Sequence, residues 1–282
     1  MQILNEIVYY FSYTFIWRGF LVGLTVALCA ALLGVNLVLK RCSMIGDGLS
    51  HVGFGALAVA AAMGAAPLRV AIPAVIVAAL LMTRLAGSKK MDGDAAIAVI
   101  STSALAIGTL VLSVSEGMNT DLESYMFGSL LAASEEDLIL CLALGGAVVL
   151  AFILMYPIFF AVTFDETFAR SAGVRTDLVR TGISVLAAIT VVLGMRLLGA
   201  LLISALILFP CLSAMRLFST FRGVVVCAAV TSVLSFTIGF LASCLLDAPP
   251  GATVVVTELA AFLMLTAISF IKRKIRSAHP AS

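Results

Sequence analysis

Long apolar runs follow one another along nearly the whole chain, and charges, glycine and proline collect in the short stretches between them. The runs cover about 18–39, 44–64, 67–85, 94–114, 138–161, 179–195, 197–215, 223–246 and 252–271. A helix needs roughly 20 mostly apolar residues to cross the hydrocarbon core of a bilayer, and most of these runs meet that length. The pattern predicts an all-α fold: a polytopic integral membrane bundle of eight or nine spanning helices, forming one domain over residues 1–282. The shortest pair, 179–195 and 197–215, is where the count is most open.

Charge placement orients the bundle. Basic residues gather at Lys40/Arg41, at Arg84/Lys89/Lys90, at Arg170/Arg175/Arg180, at Arg216/Arg222 and in the tail from Lys272 to Arg276. These are every second connection, so they share one side, which the positive-inside rule makes the cytoplasm. The intervening loop 115–137 agrees, carrying Glu116, Asp121, Glu123, Glu135, Glu136 and Asp137 and no basic residue. The expected topology puts the C-terminus in the cytoplasm and, if all nine runs span, the N-terminus outside. Arg18 and Arg196 fit this scheme poorly.

Two connections carry more than a turn. In the outer loop, the stretch 124–131 is too short to span yet apolar enough for a re-entrant turn or an interfacial helix. In the inner loop, Thr163 followed by Glu166 reads as a capping box, Glu166 and Arg170 form an i,i+4 pair, and Gly173 suits the residue past a helix end. A short cytoplasmic helix over 164–172 is the expectation. Phe164, Phe168, Ala169 and Ala172 would then form an apolar stripe outside the membrane, packed either on the bundle's own inner face or on a partner.

Composition strengthens the membrane reading. Hydrophobic residues make up 62% of the 282 and charged residues 11%, against roughly 25% charged in a soluble domain. No soluble globule of this size hides that much apolar surface. A net charge of +2 implies no nucleic-acid partner. Six scattered cysteines without a CxxC pair read as small buried hydrophobes rather than a disulfide framework. The first seventeen residues lack the basic start of a cleaved signal peptide, so the chain is expected to insert through its own spans.

The candidate chemistry lies at the start of the second run. Asp47 and His51 stand at i and i+4, so a carboxylate and an imidazole project from one helix face. Ionisable groups inside a span are costly and mark functional candidates. One carboxylate oxygen and one imidazole nitrogen suit Zn²⁺, with Mn²⁺ or Fe²⁺ also served, whereas a private Asp–His hydrogen bond would only fix helix packing. Gly46, Gly48, Gly53 and Gly55 surround the pair and leave room for a neighbouring helix or a hydrated ion. Glu258, inside the last run, is a further candidate metal ligand, or else a partner for Arg196 or a side chain that reaches to the interface. Pro67, Pro73, Pro157 and Pro210 are candidate kink sites. HExxH, GxSxG and GxxxxGK[ST] patterns are all absent from the sequence, so no catalytic motif and no ATP-binding loop is read here.

The residues from Gly46 to His51, with Gly53 and Ala56, resemble the GDxxSH signature of the permeases of metal-ion ABC importers that carry zinc, manganese or iron. The likeness extends through Asp94–Ile97, Tyr125–Leu131, the stretch from Phe164 and Asp165 to Gly173, and Gly199–Leu206 on to Pro210. It implies a homodimeric permease in the cell membrane, a pair of cytoplasmic ATP-binding subunits and an extracytoplasmic metal-binding protein. It also implies that Asp47 and His51 contact metal in transit and that Phe164, Asp165, Glu166, Phe168, Ala169 and Gly173 belong to a coupling helix that meets the ATPase. Gly48 stands where Ala or Thr is common, and Arg196 where an uncharged polar residue is frequent. The resulting expectation is a non-enzymatic permease with no resident cofactor, passing a divalent metal, most readily zinc, inward by alternating access. The alternative is a secondary or proton-coupled transporter in which Asp47 and His51 relay protons.

Overall fold

The structure is a computed structural model that describes residues 12–40, 42–86, 93–115 and 134–278. The stretch 124–131, together with Arg41, Lys89, Lys90 and His279, lies outside the described residues. Among those described there is no strand. That is the outcome lipid enforces, because a backbone without water must satisfy its own N–H and C=O groups, and a helix does so within one segment.

The helices are α1 (Thr14–Leu39), α2 (Met44–Ala62), α3 (Pro67–Ala86), α4 (Gly93–Val114), α5 (Glu135–Leu154), α6 (Tyr156–Phe164), α7 (Glu166–Ser171), α8 (Thr176–Leu198), α9 (Ala200–Leu217), α10 (Phe221–Leu246) and α11 (Pro250–Ala278). Among the described residues, eight are individually long and apolar enough to cross a bilayer. The uncertain pair 179–195 and 197–215 becomes α8 and α9, two separate spans. They are joined at Gly199, whose φ of 86° and ψ of 158° are open to glycine and strained for any residue with a Cβ.

One expected span is corrected. The run 138–161 is not a single helix but α5 and α6, bent by 67° at Met155. Pro157 falls in the first turn of α6. It has no N–H to give the preceding turn and its ring crowds the carbonyl there, so the helix restarts in a new direction. Pro73 and Pro210, by contrast, sit within α3 and α9, which continue through them.

The most deeply buried helices are α1 and α2. α1 packs on α5, α8, α9 and α10, while α2 packs on α3, α4, α8 and α9. α9 therefore stands between the α2–α4 group and α11, which rests on α9 and α10. Outward-facing side chains such as Val99, Leu110, Ile153 and Leu263 are exposed and apolar, a surface that acyl chains solvate. Arg18 finds its partner in Glu135, at 3.0 Å, which ties the first turns of α1 and α5 together at the acidic end of the bundle.

Close approach of α2 and α4 depends on glycine. A Cβ on Gly55 would run into the Ala104 carbonyl oxygen, and one on Gly108 would lie 2.7 Å from Gly55 Cα. Such small-residue contacts let backbones touch where dispersion is the main attraction between spans. Gly55→Ala should destabilise the protein by about 1–3 kcal/mol through overpacking. Gly146→Ala, where an added Cβ meets nothing within 4 Å, should not. Thermal unfolding midpoints in detergent would separate the two, and equal midpoints would contradict the packing account.

Candidate functional site

The α1–α2 corner sets where the ligand-type residues begin. Asp47 and His51 are the fourth and eighth residues of the 19 in α2, so they lie in the half of the helix nearest Lys40 and the basic end. His51 Nε2 and Asp47 Oδ2 are 3.5 Å apart, and the side chains are 36% and 40% exposed. The rest of α2 around them is mostly buried; Ile45, Gly46, Gly48, Leu49 and Ser50 all face neighbours. Met44, Asp47 and His51 thus make a single open stripe at helical spacing.

The glycines around the pair serve helix approach. A Cβ on Gly46 would meet Ile207 of α9, on Gly48 Ile97 of α4 and Met82 of α3, and on Gly53 Met195 of α8. These contacts clamp α2 on three sides and leave the Asp47–His51 edge free. The same edge adjoins α9. Ser50 hydroxyl donates to the Gly46 carbonyl at 3.1 Å and lies 3.3 Å from the Ser204 hydroxyl. Ser204, which bonds the Ala200 carbonyl of its own helix at 3.2 Å, also lies near the Asp47 carboxylate.

Ser204 is the functional neighbour that residue-by-residue reading missed. Its signal was present, a hydroxyl inside the apolar run after Gly199, but nothing in the linear pattern paired that run with α2.

The spacing of the two ligand atoms has chemical meaning. A tetrahedral ion held at about 2.0–2.2 Å from each ligand sets those ligands roughly 3.3–3.6 Å apart. The observed 3.5 Å already lies in that range. Among the described residues no third His, Cys, Asp or Glu joins them. Two ligands with open positions favour a site that accepts and releases an ion over a closed structural cage.

Glu258 is not brought to this pair. It lies in α11, 0% exposed, and neither carboxyl oxygen has a hydrogen-bond partner among the described residues. α9 stands between α11 and α2. Arg196 belongs to the last turn of α8, with its side chain outside the described residues.

The inner loop folds as expected in kind and differs in detail. The short helix is α7, Glu166–Ser171, rather than 164–172, because α6 continues through Thr163 and Phe164. A residue already inside a helix cannot cap the next one. Asp165, extended at φ −143°, is the N-cap, and its Oδ1 accepts from the Phe168 N–H at 2.8 Å. The Thr163 hydroxyl donates instead to Asn36 Oδ1 of α1, at 3.0 Å.

At the other end Gly173, with φ 86°, closes a Schellman turn. The Val174 N–H reaches Ala169 O at 3.0 Å, and the Gly173 N–H reaches Arg170 O at 3.1 Å. Glu166 and Arg170 do approach, at 3.7 Å, but Lys40 is nearer to Glu166 at 3.0 Å. Lys40, above all by hydrogen bonding, holds the Glu166 carboxyl below its ordinary value.

The anticipated single apolar stripe is divided. Ala169 is 1% exposed and packs inward, whereas Phe168 is 66% exposed and points away. Phe164 belongs to α6 and sets its ring tilted against Phe160 and edge-to-face with Phe221 while remaining largely exposed.

Known proteins place this arrangement. Residues 12–269 match the family described as the ABC 3 transport family. The high-affinity zinc uptake system membrane protein ZnuB of Haemophilus influenzae is 28% identical over 260 residues, covering 92% of this chain and 98% of its own length. The manganese transport system membrane protein MntC of Halalkalibacterium halodurans is 25% identical over 253 residues, covering 90% of this chain and 87% of its own. PsaBC from Streptococcus pneumoniae, solved in complex with Fab, superposes with a TM-score of 0.82 at 23% identity, over 93% of this chain and 95% of that one, and so shares the fold. With spanning helices, an open Asp–His stripe and a match from residue 12 to residue 269, the chain belongs to the ABC 3 transport family of metal-transport membrane permeases.

Proposed function

We propose that this chain is the permease subunit of an ATP-driven importer of divalent metal ions, with zinc as the best-suited cargo and manganese or iron as related ones. The observation that carries the reading is the Asp47–His51 pair, two ligand atoms 3.5 Å apart on the otherwise clamped helix α2. Charged groups on a lipid-facing surface cost several kcal/mol each. An open stripe bearing both therefore needs a second polar surface opposite it, and a second copy of the chain meets that need with the same stripe. The two copies would enclose a path lined by paired Asp47 and His51, with Ser204 beside the carboxylate.

The basic end is read as cytoplasmic, which puts the C-terminus inside. The acidic end then faces a metal-binding protein that delivers cargo. On the cytoplasmic side the exposed Phe168, on a helix fixed by the Asp165 cap and the Gly173 turn, is the natural anchor for an ATP-binding subunit. Phe164, Glu166 and Ala169 complete that helix and its seat. ATP-driven closure of two such subunits would switch the side to which the metal pair is open. The ZnuB and MntC relatives, named for zinc and manganese, support the substrate class. The choice of zinc rests on the one-oxygen, one-nitrogen donor set.

Asp47→Ala and His51→Ala are each expected to lower ATP-dependent zinc uptake in vesicles at least about tenfold, since even partners that only orient a ligand are worth 10–100-fold. Assembly with the ATPase should be unchanged, and wild-type uptake by both variants would sink the ligand assignment. Phe168→Asp places a charge where an apolar contact is expected and should prevent copurification of the ATPase subunit. A Phe168→Asp complex that purifies whole and transports normally would rule out the docking role.

A further inference from the structure

We infer that Lys40 and Glu166 form the link that carries movement of α7 to the metal-bearing helix α2, a role that rests on the reading of α7 as the ATPase-docking helix. Lys40 is the C-cap residue of α1 and opens the corner into α2. Its Nζ donates to Glu166 Oε2 at 3.0 Å, and the lysine side chain is largely buried. Glu166 is the first residue of α7.

A second strut runs beside the first. The Thr163 hydroxyl meets Asn36 Oδ1 at 3.0 Å, and Asn36 is buried. Asn36 lies in the last turn of α1 and Lys40 caps it, while Thr163 and Glu166 stand on either side of the extended Asp165; all four border the same cavity. Two attachment points transmit rotation as well as translation, which a single pair on flexible side chains would not.

Packing does little of this work. α7 rests on α6 and α8. The region where it faces α1 holds a cavity of about 380 Å³, bordered by Asn36, Lys40, Thr163, Glu166 and Arg180. Across a space of that size the polar struts, rather than interlocked side chains, connect the two segments.

Backbone hydrogen bonds tie the described residues beyond Lys40 to both helices. The Lys40 N–H bonds Asn36 O at 3.2 Å, the Cys42 N–H bonds Leu37 O at 2.8 Å, and the Ile45 N–H bonds Cys42 O at 3.1 Å. The end of α1 and the start of α2 are thus hydrogen-bonded into one unit. Asp47 lies in the first turn of α2, the fourth residue of the helix that follows this corner. Lys40 and Glu166 act as positioning residues, and neither touches the metal. Coupling between distant sites requires such a contiguous, two-state connection, and it must be demonstrated by coupling measurements.

The test uses the whole complex, permease with ATPase and binding protein, in proteoliposomes loaded with zinc outside. Lys40→Glu and Glu166→Lys should each lower zinc taken up per ATP hydrolysed at least fivefold, on the order of 1 kcal/mol of coupling, and the ATPase should still copurify with Lys40→Glu, whose residue lies outside the docking helix. The exchanged pair K40E/E166K should return to within about twofold of wild type, and Lys40→Arg should stay near it.

Single variants with wild-type uptake per ATP would overturn the inference. So would an exchanged pair no better than its worse single, or loss of the ATPase from Lys40→Glu. A wild-type complex that takes up no zinc with ATP would instead remove the transport reading itself.

Acid supplies an independent readout. Glu166 faces Lys40, Arg180 and Arg170, and these cations hold its carboxyl below its ordinary value of 4.5. A depressed carboxyl stabilises the fold above 4.5, and that contribution is lost as pH falls through the lower value of the folded state. The stability gap between wild type and Glu166→Gln in detergent should therefore be full at neutral pH and close only below 4.5. A gap that closes above 4.5 would show that Lys40 does not hold the carboxylate.

Discussion

Absence of water from the bilayer interior governs nearly everything in this molecule. It makes each traverse a helix, because the backbone has no external partner for its N–H and C=O groups. It also removes the usual hydrophobic drive between helices, since lipid solvates leucine as well as another helix does. What remains is contact, and contact requires backbones to come close. The glycines of α2 and Gly108 of α4 meet that requirement, and α2 is consequently gripped by α3, α4, α8 and α9. The grip matters functionally because α2 carries both ligand-type side chains. A helix held on three sides presents its fourth side in a defined direction.

The same exclusion of water sorts the polar residues. Most hydroxyls in the spans donate to a carbonyl one turn back, as Thr83 does to Ala79 O and Thr237 to Val233 O, and so cost little. Ser204 does the same to Ala200 O and also lies against Ser50, whereas Ser232 donates across to Ala27 O. Asp47 and His51 are unlike all of these in being open as well as polar. Glu258 is the opposite case, closed and unpartnered among the described residues. A carboxyl of that kind is costly in this state.

At the basic end water returns, and the chemistry changes with it. Here the chain can use charge freely, and it builds a small helix with a capped start, a glycine turn at its close and salt links to its neighbours. Bond strength in this region comes from geometry: the 3.0 Å Lys40–Glu166 contact outweighs the 3.7 Å Glu166–Arg170 contact that helical spacing alone would suggest. The exposed Phe168 stands out against this polar setting. It is mounted on a helix capped by the Asp165 side chain at its start and by the Gly173 turn at its close.

Much was legible in the linear order. Run length and hydropathy located the eight straight spans, though not the break within 138–161, and the i,i+4 spacing of Asp47 and His51 put them on one face. These are local properties, set by helical rise, by the cost of burying charge and by the 3.6-residue turn. The GDxxSH resemblance added the metal and the partners that spacing alone left open. What the sequence could not determine was which helix meets which. Ser204 meeting Ser50 beside Asp47, Lys40 coming closer to Glu166 than Arg170 does, Thr163 turning to Asn36 and α9 separating Glu258 from α2 all depend on contacts between distant segments. Pro157 signalled a kink, but whether a proline bends a span, as here, or is absorbed, as at Pro73 and Pro210, depends on the surrounding packing. Sequence determined the elements and their chemistry because those follow from short-range sterics and solvation. Tertiary structure decided the partners, because side-chain bonds across helices form only where packing has already brought the backbones together.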